Sequence, residues 1–427
     1  MHRRRFLAFP GVLLAPRPLT RLVPAGTGHA MNTVNCTIFC QPLVSRGGLQ
    51  YLAWYAPGGE LMLARRRLPS TECAVVKTQY SGNIRDAHNG ISLGIDGAGV
   101  LHLSWDHHAH PLRYARTVEP GSLELSAKVA MDGELETRVT YPEFFPLANG
   151  DLLFLYRHGA SGRGDTILKR YDVARRQWRT LCAPLIHGGQ NRNAYTNRLA
   201  IDGRGRWHVS WCWRELGDAS TNHDICYARS DDEGATWRKS NGEAYRLPIT
   251  LETAEVAVAI PMKSELINTG TMAVDSRGRP LISTWWRAPG EKAPQYRLVW
   301  NSGSRWETIR IGSRTIDCDL SGAGGARRIP LSRPLLLVDK KDRAHMIFRD
   351  DERGGVVSAA EAAPPYLRWT IRDLTTETVG QWEPTGDAAL WAAENRLHLF
   401  HQRVGQGNAE TLEDIPPQTV SVLEVEL

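Results

Sequence analysis

The seven cysteines, at positions 36, 40, 73, 182, 212, 226 and 318, are odd in number and never stand in Cys-x-x-Cys spacing. That excludes a disulfide framework or a zinc ribbon as the organiser of the fold and leaves small buried residues as their expected role. No later apolar run reaches the roughly 18 residues of a membrane-spanning helix, and no long stretch keeps a helical hydrophobic period. A basic excess is lacking as well. The formal charge of +6 includes Arg3, Arg4, Arg5, Arg17 and Arg21 in a first segment without acids, so residues 31–427 carry only +1. A global field for nucleic acid is therefore excluded, and anion recognition has to come from local arginines.

What is present is core material: 42% hydrophobic residues against 23% charged, with 14 tryptophans, the composition of a globular protein rather than a disordered one. Residues 1–30 run from MHRRR through FLAFPGVLLAP to a small-residue stretch ending GHA. This is the order of an export signal, with Arg4-Arg5 also allowing a twin-arginine reading, and the alternative is a disordered N-terminus. The expected location is secreted or periplasmic, and the expected folded unit is a single domain over 31–427.

Within that unit a turn rich in Asp, Gly or Asn recurs, each time followed by alternating apolar residues. The copies are GGLQYLAWY (47–55), IDGAGVLHLSW (95–105), LANGDLLFLYR (147–157), IDGRGRWHVSW (201–211), VDSRGRPLISTW (274–285), VDKKDRAHMIFR (338–349) and AAENRLHLFHQ (392–402). Period-2 alternation beside such turns reads as hairpins. SDDEGATW at 230–237 fits the Asp-box pattern S-x-D-x-G-x-T-W, a structural turn. One blade cannot bury both its faces, so seven copies predict an all-β, seven-bladed β-propeller closed into a ring. The C-terminal TVSVLEVEL is expected to complete the first blade. A propeller does not by itself specify a function.

Three clusters carry chemistry. SWDHHAHPLRYAR holds His107, His108 and His110; read as an unbroken strand it puts His102, His108 and His110 on one face and His107 on the other. Just upstream, RDAHNG supplies His88 and Asn89 to the same blade's rim. The second cluster, TYPEF…YRHGASGRGD, offers Tyr141 and Arg157, whose planar fork pairs bidentately with a carboxylate. The third, NRNAYTNR…WCWRE…NHDICYARS, offers Asn193, Tyr195, Asn197, Arg214 and His223, residue types that bind sugar hydroxyls and carboxylates. For a metal, no carboxylate or cysteine follows the histidines at a telling spacing. Each single residue has an ordinary structural alternative in turn or edge polarity.

These segments, with DAHNGISLGIDGAGVLHLSWDHHAHPLRYAR at their head, resemble the BNR-repeat propeller proteins that include ulvan lyases and L-rhamnose-α-1,4-D-glucuronate lyases. The resemblance implies a catalytic group of His88, His108, Tyr141 and Arg157, with Asn89, Asn193, Tyr195, Asn197, Arg214 and His223 around the substrate. Relatives commonly carry Asn after the second histidine. This chain has Ala109, so that contact has no counterpart.

The implied reaction is β-elimination on a uronic-acid-containing glycan. An arginine stabilises the charge that develops when the proton at C5 leaves, a histidine (88 or 108) accepts that proton, and Tyr141 protonates the leaving oxygen. The alternatives left open are an ulvan-specific endolyase, a hydrolytic α-L-rhamnosidase on the same linkage, and a propeller that only binds acidic glycan. The expected partner is an acidic polysaccharide or oligosaccharide, with neither nucleic acid nor membrane, and the expected state is a monomer. No cofactor is required for catalysis, and a structural zinc or calcium ion is allowed.

Overall fold

Each of the seven copies forms one strand of a separate antiparallel sheet in the computed structural model, which describes residues 19–322 and 325–427. These strands are Leu49–Tyr55, Leu101–Trp105, Leu152–Ala160, Trp207–Glu215, Pro280–Trp286, Ala344–Arg349 and Leu397–His401. One stands in each of blades 1 to 7, and the chain is the expected seven-bladed β-propeller.

The recurring aspartate builds the turn before the strand. Asp96 accepts hydrogen bonds from the backbone N–H of Ala98 and Val100, both at 2.9 Å. Asp202, Asp275 and Asp339 do the same for the N–H groups two and four residues on. A buried carboxylate that takes two backbone donors closes the turn without a second chain segment. Six residues after the aspartate comes His102, His208 or His345, whose Nε2 faces that carboxylate at 3.2, 3.4 and 3.2 Å. The Asp box closes in its own way: Asp232 Oδ1 accepts from Thr236 N at 2.8 Å, Gly234 adopts φ 87°, and Trp237 is fully buried.

Tryptophans 54, 105, 207, 211, 213, 285 and 382 are likewise buried in the packing of the blades. Large aromatic rings suit this geometry because they fill the wedge between twisted sheets. All seven cysteines are free, and burial pushes the thiol of Cys212 up to about 11, in line with a packing role.

Two details differ from the sequence reading. The ring is closed from the N-terminal side. Thr20–Gly28 pairs along the C-terminal strand Gln418–Val425, which pairs in turn with Leu397–His401. The C-terminal strand therefore belongs to blade 7 rather than blade 1, and the propeller begins by residue 20 rather than 31. The N-terminal strand is hard to recognise because it is the outer one, carries Pro24 and a bulge before Gly26, and alternates weakly; an outer edge tolerates all three. The apolar part of the leader-like segment lies outside the described residues.

The second difference is at the histidine-rich stretch, which is not an unbroken strand. Asp106 (φ 62°) turns the chain, and His108–His110 leaves blade 2 to pair with Val139 and Thr140 of blade 3. The parity that separated His107 from His108 on one strand does not apply, although the three rings still go to different places.

Candidate active site

The strand ends on the side away from the aspartate turns surround a cavity of about 410 Å³, and His88, His108, Tyr141, Arg157, Tyr195 and Arg214 all line it. Six segments from blades 2, 3 and 4 deliver them.

His88 sits on the loop entering blade 2. Asp86 Oδ1 accepts from the His88 backbone N–H at 2.9 Å and lies 2.7 Å from His88 Nδ1, so one short-range turn fixes both the main chain and the ring. The following Gly90 is required by close packing: a Cβ there would stand 2.9 Å from the Cβ and Sγ of Cys40. His108 arrives from the other direction, placed by its pairing opposite Thr140. Its Nδ1 is 2.6 Å from Asp86 Oδ2, and its ring stacks on His88 with centroids 4.1 Å apart.

A single carboxylate thus bridges two imidazoles. Burial works against its charge, but the hydrogen bonds from both rings outweigh that and hold Asp86 well below the usual carboxylate range. For His88, burial lowers the pKa while Asp86 and a second carboxylate, Glu410, raise it to about 9. His108 moves the other way, lowered chiefly by burial and further by charged His88 and Arg157. The stacked rings therefore differ in charge at neutral pH. His107 and His110 take no part: His107 is buried, with Nε2 accepting from Arg113 N at 2.8 Å, and His110 Nδ1 accepts from His108 N at 3.3 Å.

Tyr141 is turned into the cavity by a bulge in its strand, where it takes φ 55°. A left-handed conformation in a tyrosine is costly and is kept by its surroundings. Here the support is Phe39, stacked on Tyr141 at 4.1 Å. Burial, with Tyr195 nearby, raises the Tyr141 phenol above its ordinary value, so it stays protonated.

Arg157, 5% exposed, gives Nη1 to the Tyr195 hydroxyl at 3.3 Å and leaves Nε and Nη2 without partners among the described residues. A buried guanidinium with two unused N–H groups beside a cavity is set up to receive an anion. In the glycine-rich turn after it, Gly164 makes room for this side chain, since a Cβ there would meet the Arg157 stem at 2.9 Å, while Ala160 and Ser161 line the cavity. Arg214 is fully engaged, donating to Asn222, Tyr195 and Asn268 at 2.7, 2.9 and 2.7 Å. Burial alone would raise the Tyr195 phenol, yet Arg214 and Arg157 outweigh it and bring it down to about 7.

The remaining polar residues read as substrate contacts do not line the cavity. Asn89 donates to Asn83 O at 3.0 Å, Asn193 accepts from Gly162 N at 2.6 Å, and Asn197 links Ser210 and Gly270 at 2.8 and 2.6 Å. His223 lies between Asp224 and Glu215 at 3.0 and 3.3 Å. Amides next to strand ends satisfy the backbone of their own blade before they reach a ligand.

The sequence names neither Phe39, Asn268, Arg333 and Glu383, which also line the cavity, nor Asp86 and Glu410, which touch His88. Asp86 had a signal, standing two residues before His88. The others come from distant segments without one. Arg333 lies over the Phe39 ring at 4.7 Å and pairs with Glu383 at 2.7 Å. Asp86, His88 and His108 are also the only residues, among those described, whose ligand atoms are close enough together to hold an ion. In this arrangement those atoms hydrogen-bond to one another.

A family model, BNR repeat-containing family member, matches residues 49–314. The chain belongs to that family. Among curated relatives, an ulvan lyase, long isoform, of Alteromonas sp. is 25% identical over 274 residues, which is 49% of this chain and 27% of that protein. An ulvan lyase of Alteromonas sp. (strain LOR) is 27% identical over 246 residues, 51% of this chain and 47% of that one. The matches thus span at most about half the length of these BNR-repeat relatives. Two solved structures share the fold over nearly all of both chains: polysaccharide lyase Uly1 (TM-score 0.70, 14% identity, 96% and 100% covered) and a PL25 ulvan lyase bound to -[GlcA(1-4)Rha3S]- (0.70, 14%, 95% and 96%).

Proposed function

We propose that this protein is a polysaccharide lyase that cleaves rhamnosyl-glucuronate linkages of acidic glycans by β-elimination. The observation that carries the reading is the meeting, in one cavity, of a neutral imidazole with a free Nε2 (His108), a protonated phenol (Tyr141) and a buried arginine with two unused donors (Arg157). Ulvan lyases among the relatives support the substrate class.

In the proposed reaction Arg157 pairs with the uronate carboxylate and stabilises the charge that builds as C5 loses its proton. Nε2 of His108 takes that proton, with Nδ1 held by Asp86 so that the accepting lone pair is presented to the cavity. The C5–H electron pair forms the C4=C5 double bond, the C4–O4 bond breaks, and the departing rhamnosyl oxygen is protonated by Tyr141. Charged His88, stacked against His108, adds positive potential. Solvent then takes the extra proton from His108 and returns one to Tyr141.

One observation favours a second choice of base: Tyr195 is brought down to about 7 by the two arginines. The two assignments differ in test. With His108 as base, His108→Ala abolishes turnover and the acid limb of kcat/KM lies below 6.5. With Tyr195 as base, Tyr195→Phe does so and the limb lies near 7.

Purified protein incubated with ulvan and with gum arabic is expected to give the ultraviolet absorbance of an unsaturated uronate. Free rhamnose without that absorbance would establish hydrolysis instead, and neither product would leave a glycan-binding propeller. No step is assigned to a metal, so chelation is expected to leave turnover intact; elemental analysis reads out a structural zinc or calcium ion. Export is part of the same proposal, and the mass of the mature N-terminus tests it.

A further inference from the structure

The segment matched to the family ends at residue 314, yet one side chain touching the histidine pair lies almost a hundred residues beyond it. Glu410 stands on the blade 7 loop between Leu397–His401 and Gln418–Val425. Its Oε1 is 2.9 Å from His88 Nδ1 and accepts from Ala326 N at 2.5 Å, and its Oε2 accepts from Ala87 N at 2.9 Å. The backbone is shaped to bring it there. Ala409 and Glu410 adopt φ 54° and 61°, and Glu410 N bonds Ala326 O at 3.4 Å. Gly325 makes the room: a Cβ on it would fall 2.6 Å from Glu410 Cγ and 3.0 Å from Oε1.

Asp86 is shared by both rings, whereas Glu410 meets His88 alone. We propose that Glu410 is a positioning residue that makes the two histidines inequivalent, fixing the proton on Nδ1 of His88 and holding that ring as the cation while His108 stays neutral. The inference rests on the reading of this cavity as a lyase site for its consequence in catalysis, but its geometry is independent of that reading. Two carboxylates on one ring nitrogen leave no arrangement in which that nitrogen is an acceptor. Removing Glu410 removes the carboxylate contact that distinguishes the rings.

Other charged and titratable groups face His88 as well. His108 is stacked on it, Tyr141 lies at 5.9 Å, and Tyr195, Arg157, Arg214, Arg327 and Arg333 line the same cavity. Burial and the arginines disfavour the cation, so the carboxylates are what sustain it.

The test is histidine NMR on the whole protein, wild type against Glu410→Gln and Glu410→Asp. Glu410→Gln is expected to move the His88 midpoint down from about 9 by at least about one pH unit, and Glu410→Asp to recover part of that shift, with thermal melting confirming that each variant is folded. A His88 midpoint that stays in place in a folded Glu410→Gln protein overturns the proposal and leaves Glu410 as a latch between loops. Glu413→Gln, in the same loop and paired at 3.2 Å with Arg328, is the control and is expected to leave both midpoints and activity unchanged.

In turnover, Glu410→Gln is expected to move the high-pH limb of kcat downward with little change in KM, whereas a loop defect would raise KM. If the NMR shift is found and wild type forms no unsaturated product, the lyase reading fails and the role of Glu410 stands.

Discussion

Asp–His pairs occur at both ends of the blade strands, and they differ in what the imidazole has left over. At the turn end, His102 is held on both nitrogens, Nε2 by Asp96 at 3.2 Å and Nδ1 by the Tyr114 hydroxyl at 2.6 Å. His208 is held in the same way by Asp202 at 3.4 Å and Tyr227 at 2.7 Å. Both are fully buried. At the cavity end, His88 and His108 each have only Nδ1 engaged, and Nε2 has no hydrogen-bond partner among the described residues. A histidine satisfied on both sides contributes stability; one satisfied on one side is oriented and still able to exchange a proton.

Mutations can break this comparison, and the largest effects belong to the cavity end. Arg157→Ala and His108→Ala are expected to lower kcat/KM by about 10²–10⁴-fold while leaving the melting curve close to wild type, as measured by the rate of unsaturated-uronate formation. Tyr141→Phe should cost on the order of 10²-fold in kcat, because the leaving oxygen loses its donor while the ring still stacks on Phe39.

Next comes His102→Ala at the turn end. It removes a buried ring from between a carboxylate and a phenol and should destabilise folding by about 3 kcal/mol in a denaturant titration, with kcat per folded molecule unchanged. An equal loss of rate would mean that the two classes of Asp–His pair are not distinct.

The pH profile sharpens the comparison further. A base lowered below 6.5 is in its active form above that midpoint, and the His88 cation persists until about 9. Activity is therefore expected to rise through a midpoint below 6.5, hold, and fall near 9. The smallest effect is expected at His223→Ala, outside the cavity between two carboxylates: less than about 1 kcal/mol of stability and no change in KM.

The blades were legible because their signals are local. A turn aspartate, two backbone donors and an alternating strand all lie within about a dozen residues, and seven copies of one pattern imply ring closure. Closure by Thr20–Gly28 is not legible because an outer strand needs neither strict alternation nor freedom from proline. In the site, a resemblance carried by short motifs nominates His88, His108, Tyr141 and Arg157, and all four line the cavity. Asn89, Asn193, Asn197 and His223 went the other way. Their residue types suit sugar binding, but nearby backbone and carboxylate groups claim them.

Residue order was enough to specify seven hairpin-built sheets, because each turn closes through hydrogen bonds between near neighbours. It was also enough to nominate a group of histidines, a tyrosine and an arginine for proton transfer beside an anion. Charge assignment within that group was out of its reach. Whether His88 is cationic depends on Glu410, more than three hundred residues away in the chain and 2.9 Å away in space. Whether Tyr195 is drawn toward 7 depends on two arginines from different blades. Electrostatic interactions act through distance and burial, and both are set only when the ring of blades has closed.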